Sequence, residues 1–271
     1  MRMAAQWVTG WLRRRRVGRD IRALAAWRRL AGGHFSHPRV IALPPGQRVL
    51  VLSPHPDDET IGVGGTLLKH HQAGCQVTVA VLTDGAAGAL GRQRIEVTSR
   101  RQAEARAAAQ VLGVDRLIFE DVPDAGLADM DPARLRALLE ETAPDLVYLP
   151  FFLDNHPDHR ALTPLLARAL RGASLDFACC AYETWSPVAP NILVDISETL
   201  AGKQEALACY RSQLETRDYT RMVAAMAAYR GALAPVQKLA AEQLRVAGEV
   251  QAARQVLANG GMLAAEAFAM G

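Results

Sequence analysis

Cysteine is scarce in this sequence. The four present (Cys75, Cys179, Cys180 and Cys209) make no CxxC spacing. Adjacent Cys179 and Cys180 in an apparent strand point to opposite faces, so the thiols read as buried and reduced, in a cytoplasmic protein. No apolar run approaches the roughly 18 residues needed to span a bilayer. A secretory leader is not expected either: Ala4–Leu12 is too short and too polar for an apolar core, and Arg13–Arg16 follow it instead of preceding it. Aromatic residues make up only 6%. Nowhere beyond the N-terminus are they interleaved with a basic face, so no nucleic-acid partner is expected.

Positive charge is unevenly placed. Residues 1–40 hold ten of the 31 Lys and Arg residues and one acid, Asp20, for a balance of +9. The remainder carries 21 basic and 27 acidic residues, a balance of −6. Residues 5–30 read as a helix, with Trp7, Trp11, Val17, Ile21 and Leu24 along one stripe and arginines on other faces. Such a helix either packs its stripe onto the body or docks to a partner or an anionic membrane surface, which would make the protein peripheral at the inner face. Pro38, Pro44, Pro45 and Gly46 then mark a linker. The expected organisation is a basic arm and linker over 1–44 and a catalytic domain over 45–271. Homo-oligomeric assembly is left open.

From Arg48 the pattern alternates. Strands are expected at Arg48–Ser53, Gln76–Thr83, Arg116–Phe119, Leu146–Phe151, Phe177–Ala181 and Ile192–Ile196. Helices are expected at Glu59–Gln72, Ser99–Leu112 (ended by Gly113), Asp131–Glu141 (Pro132 at its first position) and Asp158–Arg171. Ala-rich helices dominate from Glu198. Strand–helix alternation implies an α/β, Rossmann-like, mostly parallel sheet with helices on both faces. In the common order 3-2-1-4-5-6, the first and fourth strands are neighbours, and their carboxyl ends flank the crevice where ligands bind.

Those two ends carry the chemistry. The first runs into Pro54-His55-Pro56-Asp57-Asp58-Glu59, the fourth into Asp154-Asn155-His156-Pro157-Asp158-His159. Two imidazoles and a carboxylate can hold a catalytic zinc with a position open for water. A second carboxylate can take the water's proton, and a further histidine can stabilise an oxyanion or protonate a leaving amine. Each residue has an ordinary reading too. His55 could be satisfied in a turn, and Asp57, Asp58 and Asp158 could serve helix N-termini. Together those readings fail, because like charges gathered at two strand ends repel unless a cation is present.

The runs HPDDE (His55–Glu59) and HPDH (His156–His159) resemble those of the PIG-L/LmbE family of zinc-dependent N-acetylglucosaminyl deacetylases, over about residues 48–196. The resemblance implies a zinc ion held by His55, Asp58 and His159, with Asp57 as general base. It implies that His156 assists the tetrahedral intermediate and leaving group, oriented by Asp158, whose carboxylate should raise the His156 pKa. Arg101, in an Arg-x-x-Glu helix start, and Asp124, in an Asp-x-Gly loop, are similar to positions that face the sugar, and Asp84 lies at the same rim. The implied substrate is a small N-acetylated amino-sugar conjugate. Some family members carry Tyr two residues before the first His of HPDH, where it contacts the reacting carbonyl. Asp154 stands there in this chain, so either another residue supplies that contact or the acyl group and substrate differ.

Two other functions compete. A nucleotide-binding Rossmann protein would use Gly62-Val63-Gly64-Gly65, but these glycines come after the turn where a dinucleotide fingerprint needs them. A non-catalytic zinc–sugar module would have no need of a base at Asp57. The charge split makes residues 1–30 dispensable for chemistry. A chain starting near Pro44 is expected to keep turnover on a soluble substrate, and loss of folding would show that the arm belongs to the core.

Overall fold

The structure, a computed structural model, describes residues 38–86, 93–234 and 265–270. The basic helix expected over residues 5–30 lies outside these, as does the chain between residues 234 and 265. The described residues belong to one compact unit. In chain order they form β1 (Arg39–Ile41), β2 (Arg48–Ser53), α1 (Asp58–Gln72), β3 (Gln76–Thr83), α2 (Arg94–Leu112), β4 (Arg116–Val122), α3 (Pro132–Thr142), β5 (Leu146–Pro150) and α4 (Pro157–Ala169). There follow β6 (Ala178–Tyr182), β7 (Ile192–Asp195), α5 (Leu200–Ala208), α6 (Arg211–Leu214), α7 (Tyr219–Leu233) and β8 (Ala265–Met270). Among the described residues, no helix is long and apolar enough to cross a membrane.

The strands make one sheet in the order β1-β7-β8-β6-β5-β2-β3-β4. β2 lies between β3 and β5, parallel to both, so the two motif-bearing strands are adjacent as the doubly wound order requires. Burial on both faces explains why the strands read as unbroken apolar runs. In β2, Val49 and Val51 join a core cluster under α1, α2, α5 and α7, while Leu50 and Leu52 join a second cluster under α3 and α4. Cys180 and Cys179 divide in the same way, and all four cysteines are free, though Cys179 and Cys209 are only partly buried.

Two strands depart from the sequence reading. β8 runs antiparallel between β6 and β7, at the end of a region that reads as helical from its alanines. β1 forms within the Pro/Gly-rich stretch and pairs parallel with β7. A truncation at Pro44 therefore also removes an edge strand, whereas a start at residue 38 leaves the sheet whole.

The glycine run of α1 serves packing. A Cβ on Gly62 would strike the Tyr182 ring, and one on Gly65 would sit 2.9 Å from Ile196. The run sits inside the helix, away from the turn where a phosphate would be cradled. β8 is tied to the same helix through buried Glu266. Its carboxylate accepts from the backbone N–H of Gly65 (2.9 Å) and Thr66 (2.8 Å), from the Thr66 hydroxyl, and from Lys203 (2.5 Å). Breaking a buried pair leaves an uncompensated charge and costs about 3–5 kcal/mol. Glu266→Ala is expected to lower the unfolding free energy read from urea titration by that much, and Glu266→Gln, which keeps an acceptor for the amides, by less.

Candidate active site

The turn from β2 into α1 presents His55, Asp57 and Asp58. Asp57 is the N-cap of α1 and holds φ 120°, a conformation that costs a non-glycine residue about 1–3 kcal/mol. Several contacts enforce it. The Asp57 amide donates to Glu59 (3.2 Å), and the Ile61 amide donates to the Asp57 carbonyl (2.9 Å). Arg101 donates to the Asp57 carboxylate (3.2 Å) and to the Pro56 carbonyl (2.7 Å). Glu59 is itself fixed by Ser53 and Tyr210. The strain therefore sits on the residue expected to be the base.

The second motif opens α4, with His156 as N-cap and Pro157 in the first turn. The two motifs meet. Asp58 Oδ2 lies 3.1 Å from His55 Nδ1 and 3.0 Å from His159 Nε2. The His156 ring stands edge-on to His55 with centroids 4.4 Å apart. His55 Nε2 lies 3.2 Å from Asp158 and 3.3 Å from Asp124. Asp154, only 1% exposed, places Oδ1 3.3 Å from His159 Nδ1.

These contacts set the protonation states. Burial pushes the Asp57 carboxyl up to about 7, with Arg101 opposing and Asp58 and Glu59 adding. Burial would also raise Asp58, but the His159 and His55 cations hold it far below the usual range. For His159, burial is outweighed by Asp58 and Asp154, giving about 9, and His55 rises because Asp124, Asp158 and Asp58 surround it. The centre thus draws positive charge onto itself. Ligand atoms sharing one tetrahedral ion with bonds of 2.0–2.1 Å sit roughly 3.3 Å apart, close to the spacing between Asp58 and each imidazole. His55, His156 and His159 also bring donor atoms within 4.8 Å of one another, as do His55, Asp124 and Asp158. The donors suit a divalent metal.

Two expectations about Asp158 are corrected. Its carboxylate does not reach the His156 ring. It binds His55 Nε2 and accepts from the amides of Ala125 (2.8 Å) and Leu127 (3.1 Å). Residues two apart in a helical first turn do not face one another. Instead, the Asp158 amide donates to His156 Nδ1 (3.3 Å), which leaves Nε2 to carry the proton. Nor is the His156 pKa raised: burial lowers it, and the His55 and His159 cations add to that against the weaker pull of Asp58 and Asp158.

The rim residues divide. Asp124 faces His55, as above. Arg101 is 7% exposed and donates both terminal nitrogens to protein, to Gly85 O (2.8 Å) as well as Pro56 O and Asp57. Asp84 accepts from Arg94 Nε (2.6 Å) and from the amides of Ala86 and Asp124 (both 3.1 Å), so it shapes the loop beneath Asp124. Three participants were not singled out from sequence: Glu59, Asp154 as a partner of His159, and Trp185, whose amide donates to Asp154 (3.0 Å). Glu59 ends the HPDDE run and Asp154 opens the second cluster, so both lay in view. Trp185 had no local signal.

A doubly wound sheet with a histidine–aspartate centre at its switch point defines the class of protein. Its family follows from comparison. Residues 50–170 match the PIG-L family model, described as GlcNAc-PI de-N-acetylase. The chain is 30% identical over 187 residues to the diacetylchitobiose deacetylase of Thermococcus kodakarensis, covering 62% of this chain and 70% of that protein. It is 30% identical over 189 residues to the probable N-acetyl-α-D-glucosaminyl L-malate deacetylase 2 of Bacillus anthracis, covering 63% and 83%. The fold matches that of the N,N'-diacetylchitobiose deacetylase of Pyrococcus horikoshii with a TM-score of 0.66 at 22% identity, over 90% of this chain and 89% of that one. The chain belongs to the PIG-L family of deacetylases.

The raised carboxyl makes a prediction for the metal-free protein. The folded-state value of about 7 lies above the unfolded value of 3.8, so Asp57 is neutral in both states at low pH, and the cost of ionising it in the fold grows as pH rises from about 3.8 to about 7 and is constant above that. Asp57→Asn should therefore stabilise the metal-free protein at pH 8 by an amount on the order of a few kcal/mol, with the gain vanishing near pH 4. Thermal melts across that range check it.

Proposed function

We propose that this protein is a zinc-dependent N-deacetylase that hydrolyses the acetamide of an N-acetylglucosamine-type conjugate to a free amine and acetate. The observation that carries the reading is the strained, buried Asp57 carboxylate beside an Asp58 that touches two imidazoles. Family membership supports the chemistry, and the relatives' names share an N-acetylated amino sugar.

His55, Asp58 and His159 are the ligand set. Asp58 meets both rings, whereas Asp158 is engaged by two backbone amides and His156 uses Nδ1 within its own helix cap. Zinc bound there supplies a water of lowered pKa and polarises the amide carbonyl. Asp57, with a carboxyl near neutrality, accepts the water's proton and passes it to the departing nitrogen. Arg101 keeps Asp57 aimed. His156, neutral with its proton on Nε2, donates to the oxygen that becomes negative. Asp124 accepts from a substrate hydroxyl at the rim, and Asp84 holds its loop. The catalytic domain includes β1 and so begins before residue 39, and the basic arm ahead of it serves docking.

Acetate release from lipid-linked, nucleotide-linked, thiol-precursor and antibiotic N-acetylglucosamine conjugates tests the activity. Asp57→Asn should keep zinc and lose at least two orders of magnitude in kcat, since general base catalysis is worth about 10²–10⁴-fold. Asp58→Asn and His159→Ala should lose metal and activity together. His156→Ala should keep metal and lose kcat. Zinc loss equal to that of His159→Ala would make His156 a ligand. The acid limb of kcat/KM should fall below pH 7 in the loaded enzyme, because a nearby cation lowers the Asp57 pKa.

A further inference from the structure

We propose that Asp154 is a positioning residue that orients His159 for the metal with one carboxylate oxygen and ties down the Trp185–Ser186 segment with the other. The inference rests on the zinc reading above for its consequence and on geometry for its substance.

Asp154 sits in the loop after β5, with its amide donating to the Phe151 carbonyl (2.9 Å). Oδ1 accepts from the His156 amide (2.9 Å) and faces His159 Nδ1 at 3.3 Å. Oδ2 accepts from the amides of Trp185 and Ser186, each at 3.0 Å. One carboxylate thus joins the HPDH motif to a segment about thirty residues further along the chain. His159 Nδ1 is sealed from solvent and has no aligned hydrogen-bond acceptor. The ring's other nitrogen faces Asp58. An imidazole that gives one nitrogen to a metal keeps its proton on the other, and a carboxylate there fixes both tautomer and ring orientation. Asp154 is placed to do this. The Trp185 ring packs 5.6 Å from Tyr219 at the start of α7, and Arg217 lies over its face at 5.5 Å, so the same segment is also held by ring packing.

Asp154→Asn can keep an oxygen toward Trp185 and Ser186 while offering His159 an NH2 group that cannot accept. In the full chain, zinc affinity measured by competition with a chromophoric chelator should fall about 10–100-fold, the usual effect of removing such a partner. The urea midpoint of the metal-free protein should fall by less than in Asp154→Ala, because the Trp185 and Ser186 amides keep their acceptor while the His156 amide loses its own. Asp154→Ala should lose both affinity and stability. In ¹⁵N-histidine NMR, zinc-loaded wild type should hold its proton on His159 Nδ1 with a hydrogen-bonded shift, and Asp154→Asn should lose that shift. Zinc affinity within about twofold of wild type, together with an unchanged Nδ1–H resonance, would overturn the proposal. If wild type itself takes up no zinc, the metal reading fails alone. The resonance of the metal-free protein then decides the role of Asp154, and its persistence in Asp154→Asn counts against it.

Discussion

The centre of this protein is governed by one electrostatic constraint: carboxylates are gathered around His55 and His159 where water is excluded. Asp58 and Asp158 are almost fully buried, Asp154 is 1% exposed, and Asp57 is 5% exposed. Uncompensated, such a cluster would repel itself strongly. The structure answers with charge from the imidazoles, with the Arg101 guanidinium on Asp57, and with backbone amides directed at Asp154 and Asp158. A divalent cation held there would satisfy the same requirement.

The fold makes that concentration of charge affordable. Parallel β2 and β5 end side by side, so two turns remote in sequence face each other. Each turn feeds a helix whose first amides already favour anions. Behind them, α1 packs so closely on Tyr182 of β6 and on Ile196, just past β7, that a Cβ on Gly62 or Gly65 would collide. Glu266 of β8 fastens the same helix from the far end of the chain. The rigidity needed at Asp57 is therefore supplied by residues with no part in the chemistry.

Much of this was legible in the sequence, and the legible part was local. Strand and helix periods, Pro132 and Gly113 at helix ends, and the two His/Asp runs each signal over a few residues, and strand adjacency followed from a general topological preference. What could not be read was set by partners distant in the chain. β8 lies in alanine-rich sequence and is a strand because β6 and β7 leave room between them. β1 is too short to carry a period. Asp158 is adjacent in sequence to the motif histidine it was assigned to, yet its direction is fixed by the Ala125 and Leu127 amides. Arg101 is similar by motif to a sugar-facing position, but the carbonyls of Pro56 and Gly85 and the Asp57 carboxylate take its terminal nitrogens.

On the proposed reading, this crowd of carboxylates holds one metal ion beside a base, Asp57, that is not a ligand. Crystallography of the zinc-loaded protein, with anomalous data collected on both sides of the zinc edge, tests it most directly. The account predicts one zinc peak per chain, in contact with His55, Asp58 and His159, with Asp57 outside the coordination sphere. A peak held by His55, Asp124 and Asp158, or one that Asp57 ligates, would contradict it.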